Sequence, residues 1–294
     1  MCRMLKYLEQ FITNLAMESK SDNTISGYKV RIERFLDFVD NKTVQDISRQ
    51  DVTGFLVNLK ESGLAPASIG AYVVALRSWG SWLEAELWDE QWRNVFSTFK
   101  IPKIPKRIPK VMGADEVARV LKKMPKKTPI QKRNFALVLF IYTTGLRVSE
   151  VSDIDIADVD LEERIVFVRD GKGAKDRYSF LSTAAIQAVR DWLEIRSAFN
   201  NAASPALWIG RGSNRLNRRM IENVVSKAAL NCGFDASPHT LRRSRATHLR
   251  NDGVSVEVIS EMLGHADTGT TQAAYLNVDP LKMRDQAESF AGGG

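Results

Sequence analysis

Between Ile101 and Lys110 the chain reads Ile-Pro-Lys-Ile-Pro-Lys-Arg-Ile-Pro-Lys, a run that no regular helix can accommodate. Proline fixes φ, removes a backbone donor and pushes the residue before it out of the helical region. Prolines at 102, 105 and 109 therefore hold this segment extended. With 294 residues and 44% apolar content, the chain has material for two ordinary cores. The segment predicts where they divide: a helical domain over residues 1–99, a basic linker over 100–111 and a second domain over 112–294.

Charge follows the same division. Residues 1–99 carry 11 basic and 13 acidic groups, residues 100–133 carry 12 and 2, and residues 134–294 carry 19 and 20, so the net charge of +7 is a belt. Nine basic residues against two acidic ones lie between Arg211 and Arg250. Uneven positive charge without an amphipathic anchor favours nucleic acid over an anionic membrane. Lys103, Lys106, Arg107 and Lys110 suit a strap along a phosphate backbone, with Lys175, Arg177 and Arg243 as further candidate DNA contacts. Cys2 and Cys232 form neither a disulfide framework nor a zinc pattern, which fits a reducing cytoplasmic setting. No signal peptide is expected, and the apolar run Phe135 to Tyr142 is too short to span a bilayer.

In the first domain, Ile25, Tyr28, Ile32, Phe35, Leu36 and Val39 repeat at helical spacing behind the capping residues Ser21 to Asn23. A segment from Ser48 to Leu59 follows, and then Ile69, Tyr72, Val73, Leu76 and Trp79 behind Pro66. Trp79, Trp82, Trp88 and Trp92 read as packing for a small helical bundle.

The second domain opens on a buried helix, Asn134 to Thr143, ended by Gly145, with Arg147 expected in the first turn of the next helix. A hairpin follows: Ile165 to Val168, a turn holding Gly171-Lys172-Gly173, and Arg177 to Leu181. Helices are expected near Thr183–Phe199 and Leu216–Cys232. Asp153, Asp155, Asp158 and Asp160 precede the hairpin without a histidine or a glycine-rich calcium loop, so they read as turn and capping residues. No Walker-type phosphate loop occurs, and ATP use is unsupported.

The rare chemistry is concentrated between Asp235 and Tyr275, which hold all three histidines. Ser237 can cap a helix and Pro238 suits its first position, so His239 and Arg242, three apart, share one face. Val256, Ile259, Met262 and Leu263 predict another helix that Gly264 ends, with His265 just beyond it and Tyr275 after a polar turn. Imidazole, guanidinium and phenol belong together if the substrate is a phosphodiester and the phenol is the nucleophile. A free tyrosine is only ~0.1% ionised at neutral pH, so it needs a base and nearby positive charge. Arginine offers a fork matched to phosphate oxygens, and histidine exchanges protons near neutrality.

His239-x-Leu241-Arg242, then Leu263-Gly264-His265, then a lone tyrosine, resembles the signature of the tyrosine recombinases, closest in size and pattern to the Xer-type recombinases and phage integrases. Thr144-Gly145-Leu146-Arg147, followed by Ser149-Glu150 and a hairpin, matches the family's first arginine box. The resemblance covers nearly the whole chain, strongly after Thr144 and loosely before residue 100. It implies a mainly α protein with a small β-hairpin or sheet: a SAM-like helical core-binding domain and a catalytic domain closing as a C-shaped clamp on DNA.

The activity it implies is site-specific recombination, in chromosome or plasmid dimer resolution or in mobile-element integration and excision. A covalent 3′-phosphotyrosine would carry it, without metal, nucleotide or other cofactor. Arg147 and Arg242 would clamp the scissile phosphate with help from His239 and His265, Tyr275 would attack, and Lys172 would protonate the departing 5′ oxygen. Lys175 is the alternative general acid. Two departures from the pattern stand out: Arg243 replaces a histidine common in the family, and Tyr275 lies ten residues after His265, one more than is usual. The implied partners are double-stranded DNA carrying recombination sites and further copies of the chain or a related recombinase. These would form a dimer per site and a tetramer in synapse, joined by the tail after Tyr275, in a cytoplasmic, nucleoid-associated protein. A type IB topoisomerase-like relaxing enzyme, a metal-dependent nuclease and a non-catalytic DNA-binding protein are the other readings.

Overall fold

Among the described residues, serine, threonine and asparagine side chains set where most helices begin. The computed structural model describes residues 2–40, 42–86, 93–102, 110–171, 175–196, 204–210 and 214–264, with backbone alone at 2, 3, 170, 171 and 175. Two compact units, Met1–Ile108 and Pro109–Gly294, make up the chain. Among the described residues no helix is long and apolar enough to cross a membrane.

The first unit is built from α1 (Cys2–Met17), α2 (Asp22–Phe38), α3 (Arg49–Glu61) and α4 (Pro66–Glu86). Ser21 caps α2 by accepting from the Thr24 amide at 3.4 Å. Ser48 and Asp51 cap α3 reciprocally, at 3.3 and 2.8 Å. A hydrogen bond from Lys42 at 2.6 Å is the main reason the Asp51 carboxyl is held down at about 2. Phe11, Ile32, Phe35, Phe55, Leu59, Leu76 and Trp79 form the core. Phe35 meets Phe55 edge-on, with ring centroids 5.2 Å apart, a favourable arrangement of aromatic quadrupoles. Trp79 is fully buried and Trp82 packs at the margin, whereas Trp88 and Trp92 lie outside the described residues.

The second unit runs α5 (Ala114–Lys123), α6 (Pro129–Thr144), α7 (Val148–Asp153), β1 (Val159–Asp160), β2 (Ile165–Gly171), β3 (Lys175–Phe180), α8 (Thr183–Arg196), α9 (Arg218–Leu230), α10 (Pro238–Asn251) and α11 (Val256–Leu263). The strands form one antiparallel sheet in the order β1-β2-β3, with Val168 paired to Arg177 and an irregularity between Val168 and Gly171. Helix α6 is apolar on all sides because it is surrounded by α5, α8, α9 and α10. Leu137, Val138, Phe140 and Ile141 are almost wholly inaccessible, and Phe140 stands edge-on to Trp208 at 5.3 Å.

Helix α6 begins at Pro129, five residues before the start expected from its apolar run. Thr128 accepts from the Gln131 amide and Gln131 from the Thr128 amide, so a capping box with proline at the first position adds a polar turn. Arg147 is the N-cap of α7 and so precedes the first turn, where the sequence had placed it. The clustered aspartates act within the fold: Asp158 accepts from the Asp155 amide at 2.9 Å and pairs with Arg169, Asp155 pairs with Arg215, and Asp160 accepts from the amides of Glu162 and Glu163. Among the described residues no group of three or more histidines, cysteines or acids could hold a metal ion.

A small separate cluster positions the last described helix. Phe180 of β3, Leu249 of α10 and Val258, Ile259, Met262 and Leu263 of α11 bury one another. Gly145 and Gly264 end α6 and α11 in the left-handed region, at φ of 63° and 64°. A Cβ on Gly145 would stand 2.5 Å from Leu263 Cδ2. Gly145→Ala should therefore lower stability by about 1–2 kcal/mol from backbone strain alone, read as an earlier urea unfolding transition of residues 109–294.

Candidate active site

Arginines from two distant elements converge on one short stretch of backbone. Arg147, at the start of α7, donates through Nη2 to the Gly264 carbonyl at 2.5 Å and through Nη1 to Glu150 Oε1 at 2.7 Å. Arg242, in the first turns of α10, donates through Nη1 to the Gly145 carbonyl and through Nη2 to the Leu263 carbonyl, both at 2.6 Å. Leu263 and Gly264 are consecutive, so the end of α11 holds both guanidiniums at adjacent carbonyls. A guanidinium carries five N–H groups, and these contacts orient each one while leaving donors for an anion.

The electrostatics are those of a site short of negative charge. Burial, then the charges of Arg147 and Arg177, push the Arg242 guanidinium down to about 10 against the opposing pull of Glu150, and it remains charged at neutral pH. The pKa of His239 is lowered by partial burial of the ring and by Arg243, Arg242 and Arg147, with Glu222 pulling the other way. The residue as a whole is exposed, so the three positive charges carry the physical weight. Neutral His239 can donate at one ring nitrogen and accept at the other.

Glu150 anchors the arrangement from within. It is buried, and its carboxylate accepts four bonds: from the Arg147 amide and Nη1, both at 2.7 Å, and from Arg177 Nη1 and Nη2 at 3.0 and 2.7 Å. Burial is the largest influence on its pKa and would raise it. The bonds and charge of Arg177, joined by the bonds from Arg147, outweigh burial and hold the pKa below the ordinary value.

Arg177 corrects the sequence reading. Expected to be a DNA contact, it is buried, with both arms on Glu150 and Nε donating to the Met262 carbonyl at 3.2 Å. Arg243 is exposed beside His239. Lys110 is exposed and paired with Asp235 at 2.6 Å. Lys103, Lys106, Arg107, Lys172, His265 and Tyr275 lie outside the described residues, as does the side chain of Lys175.

The third histidine serves packing. His248 Nδ1 lies 2.8 Å from the Tyr142 hydroxyl, joining α10 to α6. Arg245 is buried beside this pair, donates to the Thr143 carbonyl at 3.2 Å and lies over the Tyr142 ring. Sequence reasoning missed Arg245, although its spacing of three from Arg242 puts the two on one helix face. Glu150 stands in the motif that follows Arg147, but its pairing with Arg177, 27 residues away, leaves no mark in the local sequence.

Comparison with known proteins agrees in both units. Residues 110–282 match the model of the phage integrase family, and residues 8–87 match that of the phage integrase N-terminal SAM-like domain. Tyrosine recombinase XerA of Thermococcus kodakarensis is 34% identical, over 96% of this chain and 94% of that protein. Tyrosine recombinase XerD of Oceanobacillus iheyensis is 33% identical, over 98% and 99%. In fold, the chain is similar to the XerH site-specific recombinase in a crystal structure with its difH substrate, with a TM-score of 0.68 and 22% identity over 84% of this chain and 75% of that one.

Glu150→Gln should destabilise the protein by about 3–5 kcal/mol, since it leaves the buried Arg177 guanidinium without its counter-charge. Because the folded pKa of Glu150 lies below its ordinary 4.5, the stabilisation from its charge is complete above that value and is lost as pH falls through the lower folded value. Thermal unfolding from pH 7 to pH 3 should show this acid-side loss in the wild type, reduced in Glu150→Gln.

Proposed function

Because the chain belongs to the phage integrase family, the tyrosine recombinases, we propose that it exchanges DNA strands at defined sites through a covalent tyrosyl intermediate. The observation that carries this is the convergence of Arg147 and Arg242 on the adjacent carbonyls of Leu263 and Gly264, with neutral His239 beside them. Two fixed guanidiniums can bind the two non-bridging oxygens of a phosphodiester and stabilise the charge that grows there during attack.

In this proposal Tyr275 forms an O–P bond to the scissile phosphorus as the bond from phosphorus to the 5′ oxygen breaks. His239 and His265 take part in proton handling and hydrogen bonding at the phosphate, and Lys172 supplies the proton to the departing oxygen. The phosphotyrosine retains the energy of the broken ester, so a 5′-hydroxyl from a second duplex can reverse the step without ATP. Both units are proposed to contact the duplex, with the basic stretch 100–133 lying on phosphates. Similarity to proteins named as recombinases runs through both units, which favours exchange at defined sites over simple relaxation. The exchange would require further copies of the chain or a related recombinase.

The test is covalent trapping. Full-length protein incubated with sheared genomic DNA of its host in EDTA should yield protein–DNA adducts whose sequences share a common site. Tyr275→Phe should give none, and Arg147→Ala or Arg242→Ala should slow adduct formation at saturating DNA by roughly 10²-fold or more, the scale for losing a donor to a developing anion. Adducts from Tyr275→Phe, or none from the wild type, would count against the proposal.

A further inference from the structure

Arg177 is a charged side chain with only 4% of its surface exposed, and it sits directly behind the candidate site. Its strand, β3, pairs with β2, and Lys172 falls between the two strands in the sequence. Its guanidinium fills three roles at once. Two arms grip Glu150 in a bidentate pair, Nε donates to the Met262 carbonyl, and the side chain lies so close to Gly264 that a Cβ there would meet Nε at 2.8 Å. Three segments that bear on the phosphate site are thereby tied to one group: the start of α7 with Arg147, the end of α11 with its two acceptor carbonyls, and the hairpin.

Charge gives a second reason for its presence. Arg147 shares the Glu150 carboxylate with Arg177. Paired with Arg147 alone, that carboxylate would cancel the charge meant for a phosphate. Arg177 offsets it, so the trio of two buried groups and the half-buried Arg147 keeps one net positive charge toward the site. In a low-dielectric interior this difference acts strongly on a developing anion.

We propose that Arg177 is a positioning residue for strand cleavage, acting through Glu150 and the end of α11 to fix Arg147 and preserve the positive field at the scissile phosphate. This rests on the recombinase reading above.

The test compares wild type, Arg177→Met and Arg177→Lys as full-length proteins on a nicked duplex of the site recovered by trapping. Single-turnover adduct formation at saturating DNA and Kd for the uncut duplex are measured, with folding checked by circular dichroism. Arg177→Met should form adduct about 10²-fold more slowly while Kd stays within about threefold, the pattern of an interaction used in the transition state rather than in binding. Arg177→Lys keeps the charge but cannot reproduce the forked contact, and should fall between the two, with Kd again little changed. A folded Arg177→Met that reacts at the wild-type rate overturns the proposal. So does weakened binding with the rate at saturation intact, which would make Arg177 a DNA contact. If Arg177→Met does not fold, Arg177→Lys decides: a wild-type rate overturns the proposal, and a reduced rate at unchanged Kd supports it. Failure of the wild type to form any adduct would instead remove the recombinase reading itself.

Discussion

A single buried carboxylate makes the rest of this site possible. Arg147, Arg177 and Arg242 lie close enough to perturb one another's neighbourhood, and with no counter-charge three guanidiniums would not share such a space. Glu150 supplies that charge, and its four hydrogen bonds use the full acceptor capacity of a carboxylate. The arrangement satisfies the carboxylate completely and leaves the guanidiniums partly unsatisfied. That imbalance is what an anion-binding site requires.

Backbone carbonyls do the remaining positioning. Those of Gly145, Leu263 and Gly264 accept from Arg147 and Arg242 at the ends of α6 and α11, where helix geometry leaves carbonyls without intrahelical partners. Both helices end in left-handed glycines, which turn the chain sharply and bring those carbonyls to the arginines. The electrostatics of the site therefore depend on the packing of α11, and so on the apolar cluster of Phe180, Leu249, Val258 and Met262 that holds it. Rigid placement of donors before substrate arrives is the most effective way to stabilise a developing charge.

Much of this was legible in residues near one another along the chain. Ser21, Ser48 and Ser237 mark helix starts, and Gly145 and Gly264 mark ends, because capping and left-handed turns involve residues only a few positions apart. The apolar repeats of α2, α4 and α11 identified their buried faces for the same reason, and the unbroken apolar run Phe135 to Tyr142 marked α6 as a buried helix. Arg147, His239 and Arg242 could be singled out by motif, since a helix turn and a glycine-ended loop fix their local presentation. The Thr128–Gln131 capping box, which extends α6 by a turn, is local as well, but its polar turn carries none of the apolar signal that marks the rest of the helix.

The sequence by itself determined the two-part architecture, the presence and type of most elements, and the local motifs that single out Arg147, His239 and Arg242. Only the tertiary structure decided what each basic residue does. Arg177 and Arg243 look alike in a list of cations, yet one is sealed behind the site and the other faces solvent. Arg177 meets partners 27 and 85 residues away, and Arg147 bonds a carbonyl 117 residues away. Local periodicity reaches only across a turn or along a strand, whereas the burial and pairing of a charge depend on which distant elements pack over it.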